Sequence, residues 1–75
     1  MQWQTKYSSA EMAFLEIKDG MLLYYIDYPR NLEGRWTLEQ VLAGEADYSL
    51  NCVFLQNVIA EMKAEARRQI NQNIR

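Results

Sequence analysis

The chain has 75 residues, a formal net charge of −2 and an apolar content of 49%. We assign residues 1–75 to a single domain, whose core is so small that it would usually need a disulfide, a metal or self-association for stability. A single cysteine excludes an internal disulfide, and the absence of histidine argues against a zinc site. We therefore expect no cofactor and predict a homo-oligomer, with a dimer favoured.

The charge is unevenly distributed along the chain. Residues 1–50 contain eight acids and four bases, and residues 51–75 contain two acids and four bases. Neither half has the basic excess that is typical of a nucleic-acid-binding domain. No leader-like stretch and no apolar run of about 20 residues is present, which predicts a cytoplasmic protein without a membrane partner.

The first third of the chain has two interpretations. Alternation of large and polar side chains over residues 1–7 indicates a short extended arm. Ser8 and Glu11 then have the spacing of a helical capping box, with Tyr7 and Met12 as its hydrophobic staple. Apolar residues follow at helical spacing, namely Phe14, Ile17, Met21, Tyr24 and Tyr28. This pattern predicts a helix from about Ser8 to Asp27, ended by Pro29.

The alternative for the same segment is a β-hairpin. Asp19-Gly20 between apolar runs is a hairpin signal, and residues 23–26 have strand propensity. This reading gives an α+β fold with an N-terminal hairpin around Lys18-Asp19-Gly20 followed by two helices. We favour the helix, because a capping box with a staple is a more demanding coincidence than one dipeptide.

The middle of the chain gives the clearest local signal. Residues 29–34 are typical of a surface loop. Thr37 and Gln40 form a second capping box, and Trp36 with Val41 has staple spacing. Gly44 follows at the position that ends a helix in the left-handed conformation. These residues predict a short helix over Leu38–Ala43.

The last third predicts a long helix from about Leu50 to Gln72, with residues 70–75 frayed. One helical face is apolar, made of Cys52, Leu55, Ile59, Met62, Ala66, Ile70 and Ile74. Cys52 is expected to be a small buried hydrophobe in the apolar run that extends to Leu55. The favoured fold is therefore all-α, a small three-helix domain with a long C-terminal helix.

Catalytic chemistry has no support in the sequence. Without histidine, the usual serine or cysteine nucleophile has no base, and no Ser-Lys pair has suggestive spacing. Glu16 with Asp19 and Glu61 with Glu65 are typical of solvated charged faces. The three glycines are too far apart to form a phosphate-binding loop. We expect a non-enzymatic protein with no catalytic and no metal-binding residues.

Two sets of residues are candidates for binding. Arginines and aromatics of the kind that dominate interface hot spots form the candidate binding surface, namely Tyr28, Arg30, Arg35, Trp36, Arg67 and Arg68. The stripe of the long helix is the candidate self-association surface, namely Leu55, Ile59, Met62, Ala66 and Ile70. The length of the predicted helix exceeds what a short partner helix covers, so the stripe is expected to meet a second copy or another protein.

These features predict a regulatory protein that binds another protein by masking or bridging a surface. The alternative function is a small oligomer that binds or sequesters a nucleotide-like ligand, held by the arginines and stacked on the aromatics. In size, acidity and aromatic content the chain resembles small host-directed inhibitors encoded by phages and other mobile elements. That resemblance is one of composition and assigns no residue a role.

Overall fold

A computed structural model describes residues 1–27 and 30–73, with the side chains of residues 30 and 73 left out of the description. The fold is α+β. Four strands come first, β1 (Gln2–Lys6), β2 (Met12–Lys18), β3 (Met21–Asp27) and β4 (Arg30–Thr37). Three helices follow, α1 (Leu38–Leu42), α2 (Asp47–Asn51) and α3 (Gln56–Asn73). The strands form one antiparallel sheet in the order β1-β2-β3-β4.

The predicted all-α fold is wrong, and the α+β alternative fits better. That alternative had one hairpin and two helices, whereas the structure has four strands and three helices. Residues 12–27 form β2 and β3, which pair in antiparallel register from Met12 opposite Asp27 to Lys18 opposite Met21. The turn residues Asp19 and Gly20 have φ values of 55° and 76°. Positive φ at both positions is what a type I′ turn requires, and this turn suits the twist of the flanking strands.

The apparent capping box near the N-terminus belongs to a loop between two strands. The Ser8 hydroxyl donates to the Glu11 carboxylate over 3.0 Å, and it does not cap a helix. The backbone amides of Tyr7 and Ser8 both donate to the Glu11 carbonyl, which closes the connection between β1 and β2. The predicted extended arm is therefore an edge strand of the sheet.

The predicted surface loop over residues 29–34 is also wrong from residue 30 onward, because β4 begins at Arg30. Tyr24 pairs with Gly34, whereas Tyr25 pairs with Leu32. Glu33 is thus the extra residue of a β-bulge, which accommodates the change of register between β3 and β4. Residue 29 lies outside the described ranges.

The short middle helix is confirmed, with its last helical residue at Leu42. The Gln40 amide donates to the Thr37 hydroxyl over 3.1 Å, and the Thr37 amide donates to the Gln40 side chain over 2.9 Å. Both bonds of the capping box are therefore present. Gly44 has a φ of 86°, the left-handed conformation that allows the chain to leave the helix.

The predicted long helix is divided into α2 and α3 by residues 52–55. The Phe54 amide donates to the Leu50 carbonyl over 2.7 Å, which ends α2 with a turn and brings the Phe54 ring into the core. Cys52 is exposed, contrary to the prediction of a buried thiol. Helix α3 continues to Asn73, and residues 74 and 75 lie outside the described part of the chain.

The core lies between one face of the sheet and the helices. Strands β2 and β3 each contribute alternate residues to it. Its other members come from α1, α2, α3 and the two segments that join these helices. Its buried members are Ala13, Leu15, Ile17, Leu22, Tyr24, Leu38, Val41, Ala46, Leu50, Phe54, Ile59, Met62 and Ala66. The Trp3 indole donates to the Glu61 carboxylate over 3.1 Å and ties the edge strand β1 to α3.

Candidate interaction surface on the open sheet face

Side chains alternate between the two faces of the sheet, and the two faces have different surroundings. Residues 13, 15 and 17 of β2 and residues 22 and 24 of β3 are buried in the core with the helices. We call this the covered face. Among the described residues, the buried apolar side chains of the helices all belong to that one core. The opposite face, which we call the open face, is where a second molecule could approach the sheet.

The open face is defined by the strand register. Residues that lie side by side across the strands form rows, because antiparallel partners point to the same side of the sheet. One row contains Glu16, Leu23 and Arg35, on β2, β3 and β4 in that order. The next row contains Phe14, Tyr25 and Leu32. The face also contains Gln2, Gln4 and Lys6 of the edge strand β1. At its two ends lie Met12, Asp27, Lys18, Met21 and Thr37.

The open face is apolar at its centre. Met21 and Leu23 are half-buried, and Leu32 is 52% exposed. Charged groups lie on either side of Leu23. Arg35 is exposed, and the Glu16 carboxylate accepts a hydrogen bond of 2.9 Å from the Gln2 side chain. An apolar centre beside charged groups is the arrangement found at many protein interfaces.

The sequence produces this surface because β2 and β3 have apolar residues on both faces of the sheet. An antiparallel sheet with one solvated face normally alternates apolar and polar residues. Here Leu22 lies on the covered face, while the neighbouring Leu23 lies on the open face. Sequence reasoning missed Leu23 and Leu32, because they were assigned to a helix and a loop. The signal that could have found Leu23 is the run of apolar residues 21–26 after Asp19-Gly20, whereas Leu32 lies outside that run.

The described side chains of the candidate binding surface are not brought together by the fold. Arg35 lies on the open face, and Trp36 lies on the covered face, packed against the core. Arg67 and Arg68 are exposed on α3. Arg30 opens β4 opposite Asp27, and residue 28 lies outside the described ranges.

The candidate self-association stripe is mostly used within the chain. Ile59, Met62 and Ala66 are buried in the core, and Ile70 packs against it. A second copy cannot reach these side chains without opening the domain. Leu55 is 70% exposed, but it precedes α3 and belongs to the segment between α2 and α3.

A smaller apolar area lies at α2. Tyr48 is 85% exposed and is the most exposed large apolar side chain of the described residues. The Cys52 thiol donates to the Tyr48 carbonyl over 3.2 Å. Tyr48 and Leu55 are separate exposed side chains on the helical side of the molecule, without the cross-strand rows of the open face.

Charged groups on the helices, of which Glu65 is buried and Lys63 and Asp47 are partly buried, have structural roles. The Glu65 carboxylate accepts from Nε of Arg68 over 3.0 Å and from the Gln69 side chain over 2.8 Å. These hydrogen bonds lower the pKa of Glu65. Lys63 and Asp47 form an ion pair of 2.7 Å that connects α3 to α2.

Tyr24 is the titratable residue at the centre of the covered face. Its ring meets the Phe54 ring edge to face, with the ring centroids 6.0 Å apart. Burial raises the pKa of Tyr24, with smaller contributions from Tyr7, Glu33 and Cys52. The neutral phenol is thus the form that fits this packing.

Within residues 1–27 and 30–73, acidic and cysteine side chains form no cluster of three that could hold a metal ion, and no pocket is found. No helix in these ranges is long and apolar enough to cross a membrane. Comparison with protein-family models, curated proteins and solved structures finds no match to the chain.

Proposed function

We propose that the chain is a non-enzymatic binding domain that docks a protein surface on the open face of its sheet. The observation that carries the proposal is the apolar centre of that face around Leu23 and Leu32, on the side opposite the helical core. Leu32 is exposed and Leu23 is half-buried, and apolar side chains grouped on an uncovered surface are a feature of interaction sites. The domain would act as a regulator, by masking or bridging a surface of its partner.

The charges of the open face suit a protein partner. Glu16 and Arg35 flank Leu23, so a partner must match one negative and one positive position across the apolar centre. Such matching sets the orientation of a partner more than it raises affinity. The unpaired Cys52 is compatible with a reducing compartment, and we place the chain in the cytoplasm on this ground.

A nucleotide-like ligand has less support. Arg35 lies on the open face, whereas Arg67 and Arg68 lie on α3, which packs against the other side of the sheet. Arg68 is also engaged by the Glu65 carboxylate. Because these arginine side chains do not converge on one site, the geometry does not favour a phosphate-bearing ligand.

Site-specific photo-crosslinking tests the proposed function. A photoreactive phenylalanine analogue replaces Leu32 on the open face, and in a matched variant it replaces the exposed Glu45 of the turn after α1. Both proteins are irradiated in native cell extract. We expect a discrete protein adduct from position 32 that is absent from position 45. No adduct from position 32, or equal adducts from both positions, would refute docking on the open face.

A further inference from the structure

We infer that the occupant of the open face is a second copy of this chain, with the two sheets packed face to face about a twofold axis that runs roughly along β3. This inference rests on the proposed function, since it names the partner for the same surface. The evidence is the order of side chains across the strands, which makes the open face complementary to itself.

The row through Leu23 supplies the charge match. Glu16 lies on β2, Leu23 on β3 and Arg35 on β4. Rotation by a half-turn about β3 exchanges the positions of β2 and β4. Glu16 then faces the partner's Arg35, Arg35 faces the partner's Glu16, and Leu23 faces the partner's Leu23. The dimer thus contains two equivalent ion pairs between Glu16 and Arg35, and each copy contributes one residue to each pair.

The neighbouring row supplies the apolar match. Phe14, Tyr25 and Leu32 occupy β2, β3 and β4. The same rotation places Phe14 against the partner's Leu32 and Tyr25 against the partner's Tyr25. Aromatic and aliphatic groups therefore meet each other beside the ion pairs, as they do between the two sheets of a sandwich.

Other simple axes give poorer matches. An axis between β2 and β3 would place the Glu16 carboxylate against the partner's Leu23, burying a charge against an apolar group. An axis across the strands at the Leu23 row would place each Glu16 against the partner's Glu16 and each Arg35 against the partner's Arg35. The axis along β3 brings opposite charges together in that row.

The size of the face predicts a reversible dimer. An axis along β3 overlaps β2, β3 and β4 with the partner, whereas the edge strand β1 extends past it. Three strands about 4.8 Å apart and about seven residues long at 3.4 Å each give roughly 14 Å by 24 Å, or about 340 Å² per copy. The two copies together would bury on the order of 700 Å², more when side-chain relief is included, which is typical of weak, transient interfaces. The dimer should therefore dissociate on dilution.

Sedimentation equilibrium with charge reversals tests the inference. The proteins are wild type, Glu16→Arg, Arg35→Glu, the double reversal E16R/R35E and the control Glu45→Arg, each checked for folding by circular dichroism. We expect wild type and control to dimerise alike and each single reversal to weaken the dimer by about tenfold. The double reversal should recover to within about threefold of wild type.

A mixture of Glu16→Arg and Arg35→Glu distinguishes a contact between copies from a contact within one chain. Glu16 and Arg35 lie about 10 Å apart at the usual strand spacing, within reach of two long side chains. Only a contact between copies would let the two single variants associate with each other as tightly as wild type. A double variant no better than the singles would overturn the proposed axis. A wild type that is monomeric at every concentration would overturn the second copy as occupant, while a heterologous adduct from position 32 would still support the proposed function.

A substitution at Asp27 tests the proposed axis independently. It lies on β3, close to the proposed axis, at the end of the open face. Each Asp27 would face the partner's Asp27, so like charges would oppose association there. We expect Asp27→Asn to tighten the dimer by about threefold. Unchanged or weaker dimerisation of this variant would contradict an axis along β3.

Discussion

Arg35 and Trp36 are neighbours in β4, yet their side chains lie on opposite faces of the sheet. Arg35 is exposed on the open face beside Leu23, whereas Trp36 pairs with Leu22 and packs against the core. A side chain added at Gly34 would overlap the Trp36 indole, so the glycine provides space for that ring. These two members of the candidate binding surface therefore have separate roles.

This separation predicts different effects for two adjacent alanine substitutions. Trp36→Ala removes a large side chain that packs on the core, and we expect it to lower the free energy of unfolding by about 3 kcal/mol. Arg35→Ala should change that free energy by less than about 0.5 kcal/mol. Urea unfolding followed by circular dichroism measures both. Equal losses for the two variants would contradict their placement on different faces.

The turn between β2 and β3 gives a prediction about backbone conformation. Gly20 has a φ of 76°, and nothing lies within 4 Å of the position of an added Cβ. Gly20→Ala should therefore cost about 1 kcal/mol through backbone strain alone. Asp19→Asn is the control, since asparagine tolerates the left-handed conformation. A Gly20→Ala variant as stable as wild type in thermal denaturation would argue against the type I′ turn.

Glu65 predicts how stability responds to acid. Hydrogen bonds from Arg68 and Gln69 hold the pKa of Glu65 in the folded state below its ordinary value of 4.5. The carboxylate therefore contributes stability above pH 4.5, and this contribution is lost as the pH falls through the lower pKa of the folded state. Glu65→Gln should be less stable than wild type at neutral pH, and the gap should narrow in acid.

Urea midpoints measured on both sides of pH 4.5 check this sign. The difference between wild type and Glu65→Gln isolates Glu65 from the other carboxyl groups. A gap that widens as the pH falls would contradict the lowered pKa of Glu65.

The thiol of Cys52 gives a rapid test of the segment between α2 and α3. Because Cys52 is exposed, a thiol reagent should modify it in the folded protein at a rate within about tenfold of that in denaturant. The single α-helix predicted from the sequence would have buried this thiol. Modification that requires unfolding would support that prediction against the break between the two helices.

The local signals for α1 could be predicted from the sequence, because both bonds of its capping box join residues three apart. The first third could not be predicted in this way. Phe14, Ile17 and Met21 have helical spacing, but in strands Ile17 lies on the covered face and Phe14 and Met21 on the open face. In this segment, strand pairing between residues distant in sequence outweighed the local pattern that favours a helix.

The candidate surface was predictable only through the fold. Arg35 was identified as a binding residue from its type. Leu23 and Leu32 could be recognised as surface residues only once their strands and register were known, because a shift of one residue exchanges the faces. The bulge at Glu33 makes the register of β4 harder to infer. Before the bulge the even-numbered residue Leu32 lies on the open face, and after it the odd-numbered residue Arg35 does.

The central claim is that the open face is where this chain meets a second copy of itself, and methyl resonances test it most directly. A soluble paramagnetic probe attenuates exposed methyl groups in samples labelled at Met and Leu methyls. As the protein concentration rises, we predict that Leu23, Leu32 and Met21 become protected while Leu55 stays attenuated. Protection of Leu55 with continued attenuation of Leu23 and Leu32 would contradict the claim, because it would place the interface on the helical side.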